Sequence, residues 1–211
     1  MDKNKIMQLL TVLLFFTCTY MYGQGKNYSQ SDIEKLQIQA NSGDVIAQRN
    51  LGYCYSRGNG VGKDYEKALI WFHKAADQGD PQAQFEIGAA YFHGNGVKQN
   101  VNEAVKWYLK AAAQNEYRAI HDLGSCYLNG EGVIADEVEA FKWFKKGADL
   151  GDAHSMNDLA ICYHYGYGIR QDKEKALEWF RKAADLGNSN AINNLQRLTS
   201  PREDPRNSWA W

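Results

Sequence analysis

Proline is nearly absent from this chain. Its 211 residues hold three, and two of them, Pro201 and Pro205, stand near the end, so little interrupts helices before that point. Neither charge dominates. The 24 Lys and Arg face 25 Asp and Glu, for a net charge of −1, which lacks the basic footprint of a nucleic-acid binder. No stretch reaches the ~20 apolar residues of a membrane span. The signatures H-E-x-x-H, C-x-x-C, S-x-x-K and G-x-S-x-G are missing, and with them the common routes to zinc, redox and serine chemistry. A hydrophobic content of 44% is enough for one domain or one repeat array.

What is present is a repeat. The stretch from Ala47 to Gly79, AQRNLGYCYSRGNGVGKDYEKALIWFHKAADQG, returns from Ala83, Ala119 and Ser155, offset by 36 residues each time. Leu51, Ile87, Leu123 and Leu159 fill one column, and Tyr55, Tyr91, Tyr127 and Tyr163 another. Paired glycines follow (Gly58/Gly60, Gly94/Gly96, Gly130/Gly132, Gly166/Gly168), then Val61, Val97, Val133 or Ile169. Trp71, Trp107, Trp143 and Trp179 are each followed by an aromatic residue: Phe72, Tyr108, Phe144 or Phe180. A period of this length is the mark of a solenoid.

Each unit reads as two helices. In the first, Ala47, Leu51 and Tyr55 share one helical face. Gly52, Gly88, Gly124 and Ala160 beside them imply close backbone approach, with the Ala68 column of the second helix as the expected neighbour. Gly58 and its equivalents should end helix A in a left-handed residue, after which Val61 plugs the core. Asp64, Asn100, Asp136 and Asp172 are expected N-caps of helix B. Asn100/Glu103 and Asp136/Glu139 have capping-box spacing. Helix B should bury Ala68, Trp71, Phe72 and Ala75 and end at Gly79 or its equivalents. Asp80-Pro81 then opens the next helix A. Repeat three departs with Gly147 in place of alanine, and repeat two ends on Asn115 in place of glycine.

The ends differ. Lys3 and Lys5 precede an apolar run from Ile6 to Phe16, broken by Gln8 and Thr11, which reads as a secretory signal peptide cleaved after Gly23. A retained anchor helix and a lipoprotein anchored through Cys18 are the alternatives. The expected organisation is then signal peptide 1–23, linker 24–28, half repeat 29–46, repeats 47–82, 83–118, 119–154 and 155–190, capping helix 191–198, and an irregular tail 199–211 holding Trp209 and Trp211. Cys54, Cys126 and Cys162 share one column, with Ala90 in the fourth place. Stacked helices sit ~8–10 Å apart, too far for a disulfide between neighbours, so these residues read as small packed hydrophobes.

The pattern A-x-x-x-L-G-x-x-Y-x-x-G-x-G-V-x-x-[DN]-x-x-x-A-x-x-W-[FY]-x-[KA]-A-A-x-x-G resembles the Sel-one-like repeat (SLR) family, over about Ser29 to Leu198. The resemblance implies an all-α fold: a right-handed α/α superhelical solenoid of about four 36-residue helix-turn-helix repeats with half-repeat caps at both ends. It also implies an adaptor that assembles complexes, in bacteria often outside the cytoplasm. Some cysteine-rich members have been described as β-lactam-binding. Those carry paired cysteines in each repeat, whereas this chain has at most one.

In such superhelices helix A lines the concave face. A step of 100° per residue then places Arg49, Asn50, Tyr53, Ser56 and Arg57 away from the core. Their equivalents are Phe85, Glu86, Ala89, Phe92 and His93, then His121, Asp122, Ser125, Leu128 and Asn129, then Asn157, Asp158, Ile161, His164 and Tyr165. Tyr53, Phe85, Phe92, Leu128, Ile161 and Tyr165 are expected as exposed contact anchors. The column Asn50, Glu86, Asp122, Asp158 and Asn194 could hold amides or basic groups of a bound segment, or form a solvated face with bonds between repeats. The expected partner is a protein or peptide, bound by an exported monomer without nucleic acid, cofactor or metal. The alternatives are a glycan or peptidoglycan binder, with aromatics stacking on sugars, and a β-lactam-type hydrolase. A metal site would need His93, His121, His164, Glu86 and Asp122 to gather within ligand distance.

Overall fold

The structure is a computed structural model that describes residues 27–199, and every regular element among them is a helix. In chain order these are α1 (Gln30–Asn41), α2 (Val45–Arg57), α3 (Tyr65–Asp77), α4 (Pro81–His93), α5 (Val101–Ala113), α6 (Tyr117–Asn129), α7 (Glu137–Asp149), α8 (Ala153–Tyr165), α9 (Lys173–Asp185) and α10 (Ser189–Thr199). The segment expected as a signal peptide, most of the expected linker and the tail from residue 200 onward lie outside the described residues. Helices α2, α4, α6, α8 and α10 stand in the A position, and α3, α5, α7 and α9 in the B position.

The helix boundaries follow from capping. Asp64, Asn100, Asp136 and Asp172 each accept a backbone N–H from the first turn of the B helix that follows. Asp44, Asp80 and Asp152 do the same for A helices, at 2.7 Å from the amides of Ala47, Ala83 and Ser155. Such a cap contributes about 1 kcal/mol. At Asn100/Glu103 the capping box is replaced: the glutamate turns forward to Lys106, 2.9 Å away. Glu139 likewise pairs with Lys142. Both lysines lie one turn along the same face, where they compete for the carboxylate. A reciprocal box does form at Ser29/Asp32, ahead of α1. Gly58 closes α2 at φ +71°, and Asn115 takes φ +63° where the other repeats have glycine, a conformation asparagine tolerates.

Each loop packs on the start of the B helix before it. Gly96 meets Tyr65 and Glu66, Gly132 meets Val101, and Gly168 meets Glu137 and Val138. Gly60 meets Tyr28 and Ile33 in the same manner, so α1 stands where the B helix of a preceding unit would stand. The hydrophobic loop plug is partial. Val61, Val97 and Val133 are half-buried, and Ile169 is 38% exposed.

Packing corrects two expectations about the core. The ring after each tryptophan is the more deeply buried: Phe72, Tyr108, Phe144 and Phe180 are all 3% exposed or less. Trp71 is buried, whereas Trp107, Trp143 and Trp179 are half-buried. A one-residue step turns each of these toward the helix edge. There Lys110, Lys146 and Lys182 place their ammonium groups 3.9, 5.4 and 4.0 Å from the centroids of Trp107, Trp143 and Trp179, as Lys74 does at 3.9 Å over Trp71, a cation–π contact. The second correction concerns the glycine column. A Cβ on Gly52, Gly88 or Gly124 would stand 2.6, 2.6 or 2.5 Å from the ring of Phe72, Tyr108 or Phe144. The small residue makes room for that ring, not for the Ala68 column, although the Ala104 carbonyl also lies near Gly88.

Cys54, Cys126 and Cys162 are buried free thiols. Burial pushes Cys54 up to about 11 and the other two up to about 12, as for inert packed sulfur. Among the described residues no helix is long and apolar enough to cross a membrane.

Candidate functional site

The polar column is a ladder joining successive A helices. Arg49 on α2 donates to Asp80, the cap of α4, at 2.6 Å. The Tyr53 hydroxyl donates to Glu86 on α4 at 3.0 Å, and Arg118 on α6 donates to the same oxygen at 2.9 Å. Arg118 also reaches Glu116 at 2.7 Å, its guanidinium lying 4.3 Å from the Phe85 ring centroid. His121 on α6 bridges Asp122 at 3.2 Å and Asp158 on α8 at 2.9 Å. Asn157 donates to Asp158 and accepts from Asn194 on α10, at 2.8 and 3.1 Å.

These bonds set the charge states. Burial pulls the His121 imidazole down, but its hydrogen bonds to Asp122 and Asp158, with their charges, outweigh burial and push it up to about 10. It is an imidazolium held between two carboxylates. Burial, followed by the charge of Glu86, pushes the Tyr53 hydroxyl above the usual tyrosine range. Burial and Asp122 do the same to Tyr108.

The hydrophobic members of the face sit deeper than the helical wheel implies. Tyr53, Phe85, Phe92, Leu128 and Ile161 are half-buried, and Tyr165 is 61% exposed. Tyr53 sets its edge on Phe72 with centroids 5.3 Å apart, and Phe85 stacks on Tyr108 at 5.7 Å. Leu128 and Ile161 pack on the core around Phe144. In the first three repeats the cause is the glycine column: with no Cβ in the way, the helix B ring reaches across helix A and widens the buried strip.

The structure brings Phe92, His93 and Asp122 together around a depression of about 160 Å³, with Tyr108, Ser125, Cys126 and Glu131. A second depression, of about 60 Å³, contains Glu86 with Ser56, Phe72, Ala89, Ala90 and Asn95. These are the same site one repeat apart, since Ser56/Phe92, Phe72/Tyr108, Glu86/Asp122, Ala89/Ser125 and Asn95/Glu131 each differ by 36. Arg49, Asn50, His121, Leu128, Asn157, Asp158, Ile161 and Tyr165 are outside both linings. Glu131 and Asn95 were missed in the sequence because they lie in loops; the signal was their shared place in the period. Arg118 was missed because its column carries Gln82 and His154, so nothing repeats there. Among the described residues no group of three or more His, Cys, Asp and Glu side chains is placed to hold a metal ion.

Comparison with known proteins agrees with this architecture. The Sel1 repeat matches four times, at residues 45–80, 81–116, 118–152 and 153–188. The crystal structure of a Sel1 repeat protein from Oxalobacter formigenes is 37% identical, with a TM-score of 0.80 over 87% of this chain and 75% of that one. A protective antigen present in uropathogenic Escherichia coli strains, displaying an SLR fold, is 32% identical with a TM-score of 0.76, over 91% of this chain and 42% of that one. This chain thus spans less than half of the antigen's length. An immunity protein from Pseudomonas aeruginosa, 24% identical with a TM-score of 0.58 over 88% of this chain and 69% of that one, shares the fold. Comparison with functionally curated proteins returns no significant match. The Sel1 repeat is a scaffold fold, not a catalytic one, and its repeats generally mediate protein interaction. With its four matches covering most of the sequence, this chain belongs to the Sel1 repeat family.

Proposed function

We propose that the chain is an exported scaffold that binds a protein or peptide segment along its helix A face, the concave face of such superhelices. The observation that carries this reading is the pair of depressions one period apart on that face. Depressions repeated at the interval of the solenoid suit a ligand that is itself extended. The ladder from Arg49 to Asn194 supports the reading in a second way. It ties adjacent A helices side chain to side chain, and a surface ordered in advance loses less entropy on binding. Export rests on Lys3, Lys5 and the apolar run that follows. A relative that is a protective antigen is in keeping with a location outside the cytoplasm.

The test is crosslinking capture from cell-envelope extract by the full chain, beside a variant carrying Ala89→Arg and Ser125→Arg. Each new arginine fills one depression, and a circular-dichroism melt checks that the variant folds. A protein captured by the wild type and lost by the variant supports the reading. Equal capture by both moves the contact off this face. Fractionation of a tagged chain tests export separately: recovery in the cytoplasm, with residues 1–23 uncleaved, would remove that part of the proposal.

A further inference from the structure

The two depressions have the same place in the repeat and different chemistry. The smaller is floored by Ala68, Leu69 and Phe72, and its one carboxylate, Glu86, already accepts from Tyr53 and Arg118. The larger carries two carboxylates, Asp122 and Glu131, beside the rings of Phe92 and Tyr108, with His93 also in its lining. Asp122 accepts from His121 and also meets the Tyr108 hydroxyl. Glu131 is exposed and enters no ion pair among the described residues. With His121 counted as a cation, the surroundings still carry an excess of negative charge.

The protein itself shows what such a set of groups accepts. On the same face, Arg118 lays its guanidinium 4.3 Å from the Phe85 centroid and bonds to two carboxylates, Glu86 and Glu116. The larger depression offers the same parts, two carboxylates and an aromatic surface, with no lysine or arginine of this chain lining it. Its volume of about 160 Å³ suits one long side chain, since a cavity of about 150 Å³ holds a benzene-sized group. A long basic side chain matches both its charge and its walls, because the stem packs on rings while the head meets carboxylates.

Depressions at the same place in successive repeats suit successive stretches of one extended chain. We infer that the helix A face recognises an extended segment bearing a lysine or arginine and, at a set distance along the segment, an apolar side chain, the basic group between Asp122 and Glu131 and the apolar group in the smaller depression floored by Phe72. This inference rests on the binding face proposed above and specifies its ligand.

The test is selection of a random dodecapeptide display library on the full chain, followed by fluorescence anisotropy with the enriched peptides. Enriched peptides are expected to share a basic residue at a constant spacing from an apolar one. Replacing that residue by norleucine should weaken binding about tenfold or more, the scale of a charged hydrogen bond. Glu131→Gln should weaken the parent peptide comparably and leave the norleucine peptide unchanged. Glu131 is exposed in a loop, so this variant spares the fold. Two outcomes overturn the inference: enriched peptides without a shared basic residue, or basic peptides indifferent to Glu131→Gln. If the Ala89→Arg/Ser125→Arg variant still abolishes binding in those cases, the binding face itself stands. No enrichment at all, or binding unaffected by that variant, overturns both.

Discussion

Ser155 occupies the space that a methyl group on Gly147 would take. A Cβ built on Gly147 collides with the Ser155 side chain, and the other repeats carry alanine on both sides of this contact, as at Ala111 and Ala119. The larger serine and the smaller glycine are one compensated pair. The Ser155 side chain is fully buried, and its hydroxyl has no hydrogen-bond partner among the described residues. Gly147→Ala alone should destabilise the protein by about 1–3 kcal/mol through overpacking. Ser155→Ala alone should be close to neutral, because it removes an unsatisfied buried hydroxyl. The double variant should match or exceed wild type, by up to about 1 kcal/mol from helix propensity. Urea titration of the four proteins measures the coupling; additive effects would refute the compensation.

His121 should make stability depend on pH. Its pKa is raised to about 10 in the folded chain, against about 6.5 in an unfolded one. The folded state therefore holds the proton more tightly. The stabilisation is fully present below about pH 6.5 and is lost as pH rises toward 10, with a slope of at most about 1.4 kcal/mol per pH unit. The difference in urea midpoint between wild type and His121→Gln should shrink steadily over that window. A difference that stays constant would show that the bridge to Asp122 and Asp158 does not depend on the imidazolium.

Adjacent aromatic residues should differ in importance. Phe144 is 1% exposed and Trp143 is half-buried. Phe144→Ala should destabilise by about 3–5 kcal/mol, and Trp143→Ala by clearly less. Gly124→Ala should also destabilise, because its methyl would meet the Phe144 ring. Thermal melts rank the three; a more damaging Trp143→Ala would overturn the assignment of the core ring.

The thiols report on opening of the array. Cys54, Cys126 and Cys162 are 1–2% exposed, and burial pushes the last two up to about 12. Labelling with a thiol reagent at pH 8 should be slow in buffer and complete in denaturant, and Cys126 should react at the rate of global unfolding. Fast labelling of Cys126 in buffer would mean that the depression it lines opens to the core.

The sequence by itself determined the period, the helix pairs, their caps and the family, because these depend on local chemistry repeated four times. An acidic or asparagine residue before each A or B helix, a left-handed glycine after the A helix of each full repeat and a leucine or isoleucine in each core are legible without a neighbour. Two kinds of fact needed tertiary structure. Which of two adjacent rings is buried depends on where the neighbouring helix lies, and Gly52 admits Phe72 only because the two meet face to face. The A face was legible as a face, but its anchors were not: Phe85 and Phe92 sink because the helix B ring crosses beneath them. Arg118 and His121 found their partners across repeats, and a periodic reading is blind to Arg118, whose column does not repeat.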